Sequence, residues 1–239
     1  MNQQNKPPGL VNWTGYLAIA LLLTLPAAVF TVRSGAWQQG LLLYTLSCLG
    51  AAVLLALSIV LLLLPRFAPW RKGIAGRALL ALPGTLLLLS VLASRGDYPP
   101  IHDITTDTGD PPVFTAAGQQ RGPGANTLEI GADTAALQQA AYPDLQTILT
   151  TLTIDEAFDR ALQVATDMGW DIYYQNRNAG VIEAVDTTAI MTFKDDVVIR
   201  LRSNAQGTLL DLRSVSRVGI GDIGANAKRI RAFGQKFEQ

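Results

Sequence analysis

The residues best suited to chemistry lie together in the stretch DLRSVSRVGIGDIGANAKRIRAF, residues 211–233. Arginines, serines and glycines come just before a predicted helix, and an asparagine falls inside that helix. Glycine-rich backbone before a helix presents free N–H groups, and nearby arginines add positive charge, so the combination suits an anion. The candidate ligand-binding residues are Arg213, Ser214, Ser216, Arg217, Asp222, Asn226 and Arg229.

The same stretch has a structural interpretation, which we favour. Asp222 stands at the expected N-cap, where its carboxylate would accept the free N–H groups itself and repel an anion. The letters from Gly219 to Gly224 also match the dinucleotide fingerprint G-x-G-x-x-G. Neither a parallel strand nor an acidic residue about 20 positions further on follows, so we predict no nucleotide.

Asn226 lies between Ile223 and Ile230, inside the apolar stripe of the predicted helix. A buried amide must find hydrogen-bond partners. In one interpretation it bonds to a strand end or to loop backbone and holds the helix in register. In the other, its amide faces a pocket together with Ser216 and Arg217.

Two predicted strands, residues 196–203 and 208–216, alternate apolar and charged side chains, which is typical of a sheet with one face on a core. A four-residue loop between them would place Arg200 opposite Asp211. We predict that the charged face is an exposed ladder of ion pairs; a ligand platform is the alternative. This face carries Asp196, Arg200, Arg202, Asp211 and Arg213.

Other catalytic constellations are weak. The single histidine, His102, has no nucleophile motif to work with, and the aspartates near it lack the spacing of a calcium or zinc site. Asp195 and Asp196 are adjacent, so on a strand they point to opposite faces. The only cysteine is Cys48, in an apolar run. We therefore predict no catalytic residues, no metal and no cofactor.

Charge divides the chain sharply. Residues 1–96 contain seven basic and no acidic residues, whereas residues 97–239 contain 12 basic and all 19 acidic residues. This asymmetry is typical of a membrane part joined to a soluble part, and the acidic half argues against binding nucleic acid. Within a membrane domain of residues 1–96, uncharged apolar runs predict transmembrane helices at about 13–32, 40–64 and 78–94. The lipid bilayer is thus an expected partner.

The loops predict the orientation of these helices. The loop over residues 65–77 carries four basic residues, whereas the loop over residues 33–39 carries one. Because basic loops stay in the cytoplasm, the N-terminus is predicted to be cytoplasmic and residues 97–239 to be periplasmic or extracytoplasmic. A cleaved signal peptide is less favoured, since two further apolar runs follow the first.

Residues 97–239 are predicted to form one α+β domain. Residues 97–131 are rich in Pro, Gly, Thr and Asp and predict an extended arm. Thr153 and Glu156 match a capping box, and Gly169 suits the end of the helix that they begin. An antiparallel sheet of about four strands follows, at 170–175, 181–187, 196–203 and 208–216, and then a helix at 223–237. Both helices are expected on one face of the sheet.

Four segments resemble the "domain of unknown function 1499" family: YPDL (142–145), GVIEAVDTT (180–188), FKDDVVIRLR (193–202) and the stretch 211–233. The resemblance covers roughly residues 101–237 and implies a membrane-anchored member. It brings no activity, substrate or catalytic residue. The family-like positions cluster at the last strand and last helix, which adds weight to a functional cleft there: Asp196, Arg200, Asp211, Arg213, Ser214, Ser216, Arg217, Gly219, Asp222, Gly224, Asn226 and Arg229.

We expect an inner-membrane protein whose periplasmic domain is a non-catalytic binding or interaction module of the cell envelope. Its partner would be an envelope protein or an anionic small ligand. The alternative is an enzyme acting on an anionic envelope molecule, a lipid headgroup or glycan, with Asp211 or Asp222 as general base. Full pairing of Asp222 with its own helix, and of Asp211 with Arg200, would count against this enzyme.

Overall fold

A computed structural model describes residues 6–94 and 96–239. The chain divides into two compact units, Met1–Arg95 and Gly96–Gln239. The first is helical, and the second combines a sheet with helices, so the α+β class is confirmed for the second unit.

Two long apolar helices dominate the first unit. Helix α1 spans Gly9–Arg33 and helix α2 spans Trp37–Leu63. Both are long and apolar enough to cross a membrane. At about 1.5 Å per residue, each exceeds the roughly 30 Å of a hydrocarbon core.

The third apolar segment is broken rather than continuous. A 3-10 helix, Pro65–Trp70, leads into α3, Arg71–Leu79, and α4 spans Leu82–Ala93. The segment bends by 52° between its two parts, Pro65–Leu79 and Leu82–Ala93. Pro83 lies in the first turn of α4, where its missing N–H leaves no hydrogen bond unmade. The described residues thus contain two candidate spans, or three if the bent pair counts as one.

Six antiparallel strands form the sheet of the second unit, two more than predicted. Their order is β1-β6-β5-β4-β3, and β2 also pairs with β6. Strands β1 and β2 have three residues each, too few to show an alternating pattern. The strands are β1 Asp103–Thr105, β2 Ile148–Thr150, β3 Asp171–Asn176, β4 Val181–Thr187, β5 Lys194–Asn204 and β6 Gly207–Ser216.

The predicted register of the β5–β6 hairpin is confirmed. Arg200 lies opposite Asp211, and Val198 lies opposite Arg213. The strands extend further than predicted, until Asn204 pairs with Gly207. Gly207 can close this turn because its positive φ of 141° favours glycine.

Four helices complete the second unit. They are α5 Ala117–Gln120, α6 Thr134–Ala141, α7 Ile154–Asp167 and α8 Ala225–Phe237. The capping box of α7 is present: Thr153 accepts from the Glu156 N–H, and the Glu156 carboxylate accepts from the Thr153 N–H. Gly169 follows α7 with a φ of 77°, as expected for the residue that ends a helix.

Helices α7 and α8 cover one face of the sheet, the helix face, as predicted. Phe158 of α7 and Phe233 of α8 are both buried in one cluster with Ile199 and Leu212 of the sheet. Trp170 stacks on Phe233 with 5.4 Å between ring centroids. These apolar contacts hold both helices on the sheet.

The opposite face, the arm face, is covered by chain from the 97–131 arm. The prediction of an exposed ladder is therefore wrong: Asp196 and Asp211 both have 0 % exposure, and Arg213 has 3 %. Their burial is tolerated because each charge meets an opposite charge and hydrogen-bond partners.

Candidate functional site: a network of buried charge pairs

Asp196, near the start of β5 on the arm face, lies between two arginines. Arg217 Nε and Nη2 donate to its carboxylate at 2.9 and 2.7 Å, and Arg121 Nη1 from the arm donates at 2.7 Å. The remaining guanidinium nitrogens of these two arginines donate to backbone carbonyls of the arm: Arg217 Nη1 to Gln120 and Arg121 Nη2 to Asn126. The cluster therefore links the end of β6 to the arm.

Hydrogen bonding and burial both shift the pKa values of groups in this cluster. Hydrogen bonds to Asp196 raise the pKa of Arg217, against the effect of burial. Burial lowers the pKa of Arg121, and the nearby Arg217 adds to that effect. The Tyr173 hydroxyl lies 3.4 Å from Asp196, and burial beside this carboxylate raises the pKa of the phenol far above its ordinary value. Tyr173 is thus a neutral donor.

A second pair joins β6 to β1. Arg213 donates to both oxygens of Asp103, at 2.9 and 2.7 Å. The same guanidinium donates to the carbonyls of Pro112 and Leu128 and lies over the Phe114 ring at 5.4 Å. The Arg213 guanidinium therefore donates only to residues of the arm in these bonds, and the arm encloses the Arg213–Asp103 pair.

A third cluster surrounds Asp211. Arg200 and Arg202 donate to Asp211 Oδ2 at 3.0 and 2.8 Å, and both also donate to Asp107 and Asp110 of the arm. Although burial raises it, the pKa of Asp107 is held below its ordinary value by the N–H groups of Asp110 and Gly109 and by Arg202. Its carboxylate is therefore charged near neutral pH and suits pairing better than general acid catalysis.

On the helix face, Asn226 has all its polar groups engaged. Its Oδ1 accepts from Ser214 Oγ at 2.7 Å and from Arg229. Its Nδ2 donates to Ser216 Oγ at 2.9 Å and to the His102 carbonyl at 3.0 Å. These bonds tie α8 to β6 and to the residue before β1, which matches the first interpretation of this residue.

Arg229 lies beside Asn226 on the same face of α8. It donates to Asp186 Oδ2 at 2.6 Å, to Asp195 Oδ2 and to Ser214 Oγ at 3.0 Å. Asp195 and Asp196 do point to opposite faces, since Asp195 pairs with Arg229 and Asp196 with the arginines of the arm face. Each carboxylate is used by a different cluster.

Asp222 caps α8 from outside the helix. Its Oδ1 accepts from the Gly224 N–H at 2.9 Å and its Oδ2 from the Asn226 N–H at 2.7 Å. Helix α8 begins at Ala225 rather than at the predicted Ile223, because Gly224 and Ile223 adopt positive φ angles of 76° and 54°. Ile223 is consequently exposed and not part of the apolar stripe.

The seven predicted site residues do not converge on one cleft. Arg213 and Arg217 point to the arm face, and Asp222 lies in the loop before α8. The other four form one cluster on the helix face: Ser214, Ser216, Asn226 and Arg229. Arg217 is not part of this cluster, so it does not share a pocket with Asn226 and Ser216. Their ligand-binding role stays a prediction.

Sequence reasoning missed the partners that complete the network. Glu183 is fully buried and accepts from the backbone N–H groups of Thr115, Ala116 and Ala117. A glutamate inside the apolar run Val181–Val185 was a signal for this role. Arg121 had no such signal, because its partner Asp196 lies 75 positions away.

Two open grooves lie on the surface of the second unit. One, of about 560 Å³, runs beside β2 and includes Arg160 and Phe237. The other, of about 490 Å³, lies beside α6 and includes Gln139 and Tyr142. Among the described residues, no group of three or more His, Cys, Asp or Glu side chains is placed to hold a metal ion.

The fold and the site define an α+β domain whose sheet carries internal charge pairs, preceded by helices apolar enough to span a membrane. The chain belongs to the family described as "Protein of unknown function (DUF1499)", whose model matches residues 103–237. This confirms the resemblance found in the sequence. No curated protein matches the chain.

Proposed function

We propose that this chain is a multi-pass inner-membrane protein that displays residues 97–239 on the periplasmic side as a non-catalytic binding module of the cell envelope. The observation that carries the proposal is the internal pairing of the charged residues on both faces of the sheet. A guanidinium that already donates to a carboxylate and to carbonyls has few donors left for a ligand.

The same pairing argues against the enzyme alternative, because both of its candidate general bases, Asp211 and Asp222, already accept hydrogen bonds within the domain. Asp222 is bonded to the N–H groups at the start of α8, and Asp211 accepts from Arg200 and Arg202. Carboxylate oxygens that already accept hydrogen bonds from the chain have fewer lone pairs free to take a proton from a substrate. A general base must lie within hydrogen-bond reach of the proton that it removes.

Binding to an envelope protein or an anionic small ligand would use the exposed surface instead. The two grooves offer the room: one presents the amide of Gln139, and the other presents Leu149 on the short strand β2. Strand β2 pairs with β6 on one side only, which is the arrangement that an added peptide strand uses.

Site-directed photo-crosslinking in intact cells tests the binding role. The crosslinking amino acid would replace Gln139 in one groove or Leu149 in the other, and Gln163, exposed on α7, would serve as the control position. We expect a discrete adduct from a groove position and none from position 163. The same adduct pattern at all three positions, or none at any, would contradict a groove-binding module.

The predicted orientation rests on the basic residues between α2 and α4, including Arg71 and Arg77. A Cys48→Ala, Ser203→Cys variant carries its only cysteine in the β5–β6 turn region. A membrane-impermeant maleimide should label this cysteine in cells whose outer membrane is permeabilised and whose inner membrane is intact. Labelling only after lysis of the inner membrane would place the domain in the cytoplasm.

A further inference from the structure

One end of the sheet carries several exposed apolar side chains. The β4–β5 turn holds Ile190, with 67 % of its surface exposed, and the loop before α8 holds Ile220 and Ile223, with 81 % and 68 %. Tyr98, just before β1, is 45 % exposed. Strand β4 ends, β5 begins, β6 ends and β1 begins at this same end of the sheet.

The loop before α8 holds its isoleucines outward at a conformational cost. Ile223 has a φ of 54°, a region that β-branched residues rarely adopt. The conformation is held by Asp222, which caps α8, and by the Asp222 N–H, which donates to the Ile101 carbonyl at 3.2 Å. Strained backbone that exposes an apolar side chain to water points to a role for that side chain in contact with another surface.

The loop also packs against the chain that enters the domain from the apolar helices. A Cβ on Gly224 would lie 2.7 Å from Tyr98 Cε1, and one on Gly221 would lie 3.4 Å from Pro100 Cα. The His102 ring Nδ1 lies 3.2 Å from the Ile220 carbonyl. The loop and residues 98–102 therefore form one continuous surface.

Chain length limits how far this surface can be from a bilayer. Helix α4 ends at Ala93, five residues before Tyr98. Five extended residues reach at most about 17 Å. With α4 ending at the edge of the hydrocarbon core, Tyr98 lies no more than about 17 Å beyond that edge, within reach of the headgroup region, where tyrosine is enriched.

We propose that this end of the domain, defined by Tyr98, Ile190, Ile220 and Ile223, rests on the surface of the lipid bilayer, with the isoleucines inserted among the headgroups. The inference rests on the membrane anchoring in the proposed function. It adds that the domain is held against the membrane by a second contact, not only by its covalent link to α4. Burying three isoleucines in the interface favours this arrangement through the apolar area removed from water.

Charge does not dominate this surface. Lys194 and Lys228 are exposed on the elements that flank it, and Asp97 and Asp171 are exposed at the same end. These four charges balance, so we expect the contact to depend on apolar insertion and not on anionic lipids. Docking should therefore persist on purely zwitterionic membranes.

The test uses the full chain in nanodiscs of phosphatidylcholine, with Cys48 replaced by alanine and one new cysteine carrying an environment-sensitive fluorophore. Test positions are Ile220→Cys and Ile223→Cys. Leu149→Cys, exposed on β2 at the other end of the sheet, is the water-exposed control, and Val53→Cys, exposed in the middle of α2, is the membrane control. Doxyl-labelled lipids then report contact with lipid.

We expect the doxyl lipids to reduce emission at positions 220 and 223 by roughly half or more, and at position 149 hardly at all. Quenching at position 53 alone would overturn the docking surface and leave the membrane anchor standing. No quenching at position 53 would overturn both. Emission at 220 and 223 that is shifted to the blue but not quenched by lipid would mean that a protein covers the surface, which also contradicts the proposal. Addition of anionic phosphatidylglycerol should leave the result unchanged, and a requirement for it would refute apolar insertion.

Discussion

Arg217 grips Asp196 through two hydrogen bonds, at 2.9 and 2.7 Å, on a face of the sheet where the carboxylate has no contact with solvent. Arg121 completes the coordination of this carboxylate from the arm. Arg217, one of the residues that suggest an anion site in the sequence, therefore binds a carboxylate of the protein itself.

Removing the charge of Asp196 should strongly destabilise the domain. Asp196→Asn leaves Arg121 and Arg217 buried with one neutral partner, and breaking a buried pair in this way costs about 3–5 kcal/mol. Urea unfolding of the full chain in detergent, followed by circular dichroism, measures the loss. Asp171→Asn, an exposed substitution on β3, should change the free energy of unfolding by less than about 0.5 kcal/mol. Equal effects of the two substitutions would refute a buried structural role for Asp196.

Glu183 should hold part of the arm in place. Its carboxylate accepts from the N–H groups of Thr115, Ala116 and Ala117, so Glu183→Gln weakens these bonds at the start of α5. Hydrogen exchange of these three amides should become about tenfold faster, since a bond to a charged acceptor contributes about 1.5–3 kcal/mol. Glu129→Gln, an exposed arm substitution, is the matched control and should leave the same amides unchanged.

Asn226 should contribute to stability through its hydrogen bonds within the domain. Asn226→Ala removes four hydrogen bonds at once and leaves Ser216 Oγ without its amide donor, although Arg229, Ser214 and the His102 carbonyl keep other partners, so the free energy of unfolding should fall by about 2–4 kcal/mol. Lys228→Ala, exposed in the same helix, should have an effect below about 0.5 kcal/mol. If the two alanine variants unfold alike, Asn226 does not fasten α8 to the sheet.

Because Ile223 has a positive φ, we predict that replacing it with a residue that tolerates this conformation stabilises the domain. Ile223→Asn places a residue that tolerates this conformation at an exposed site, so the variant should be more stable in detergent by about 1 kcal/mol. Ile220→Asn, in the same loop but without a positive φ, should be close to neutral. A loss of stability in the Ile223 variant would show that its side chain supports the fold.

Local patterns predicted the elements that local forces determine. The capping box at Thr153, the glycine after α7 and the β5–β6 register all follow from side chains within a few residues of each other. The arm was recognised by its composition, but its role in covering the sheet was not. That role depends on pairs such as Arg213 with Asp103, which are 110 positions apart.

The candidate site was predicted as a set of residues and not as a geometry. The sequence predicts Arg213 and Ser214 in one cleft, whereas in the structure they point to opposite faces of the sheet, and both are buried. The apolar stripe predicts Ile223 as the first residue of the last helix, whereas its positive φ of 54° places it outside α8, a conformation rare for isoleucine. Which faces of the sheet are covered, and where α8 begins, depend on contacts between residues far apart in the chain. Short patterns in a single sequence do not show such contacts.

The most direct test of the account is a thermal-shift comparison of the full chain and its Arg217→Ala variant in detergent. Each would be heated alone and with inorganic phosphate, glycerophosphate headgroups or anionic glycans. If the cluster around Asp196 is an internal support, the variant melts earlier, and any anion that raises the melting temperature of the wild-type protein raises that of the variant equally. If an anion at about 100 times its dissociation constant stabilises the wild-type protein by roughly 2.7 kcal/mol, and Arg217→Ala abolishes this effect while remaining folded, the stretch is a ligand site and the account is contradicted.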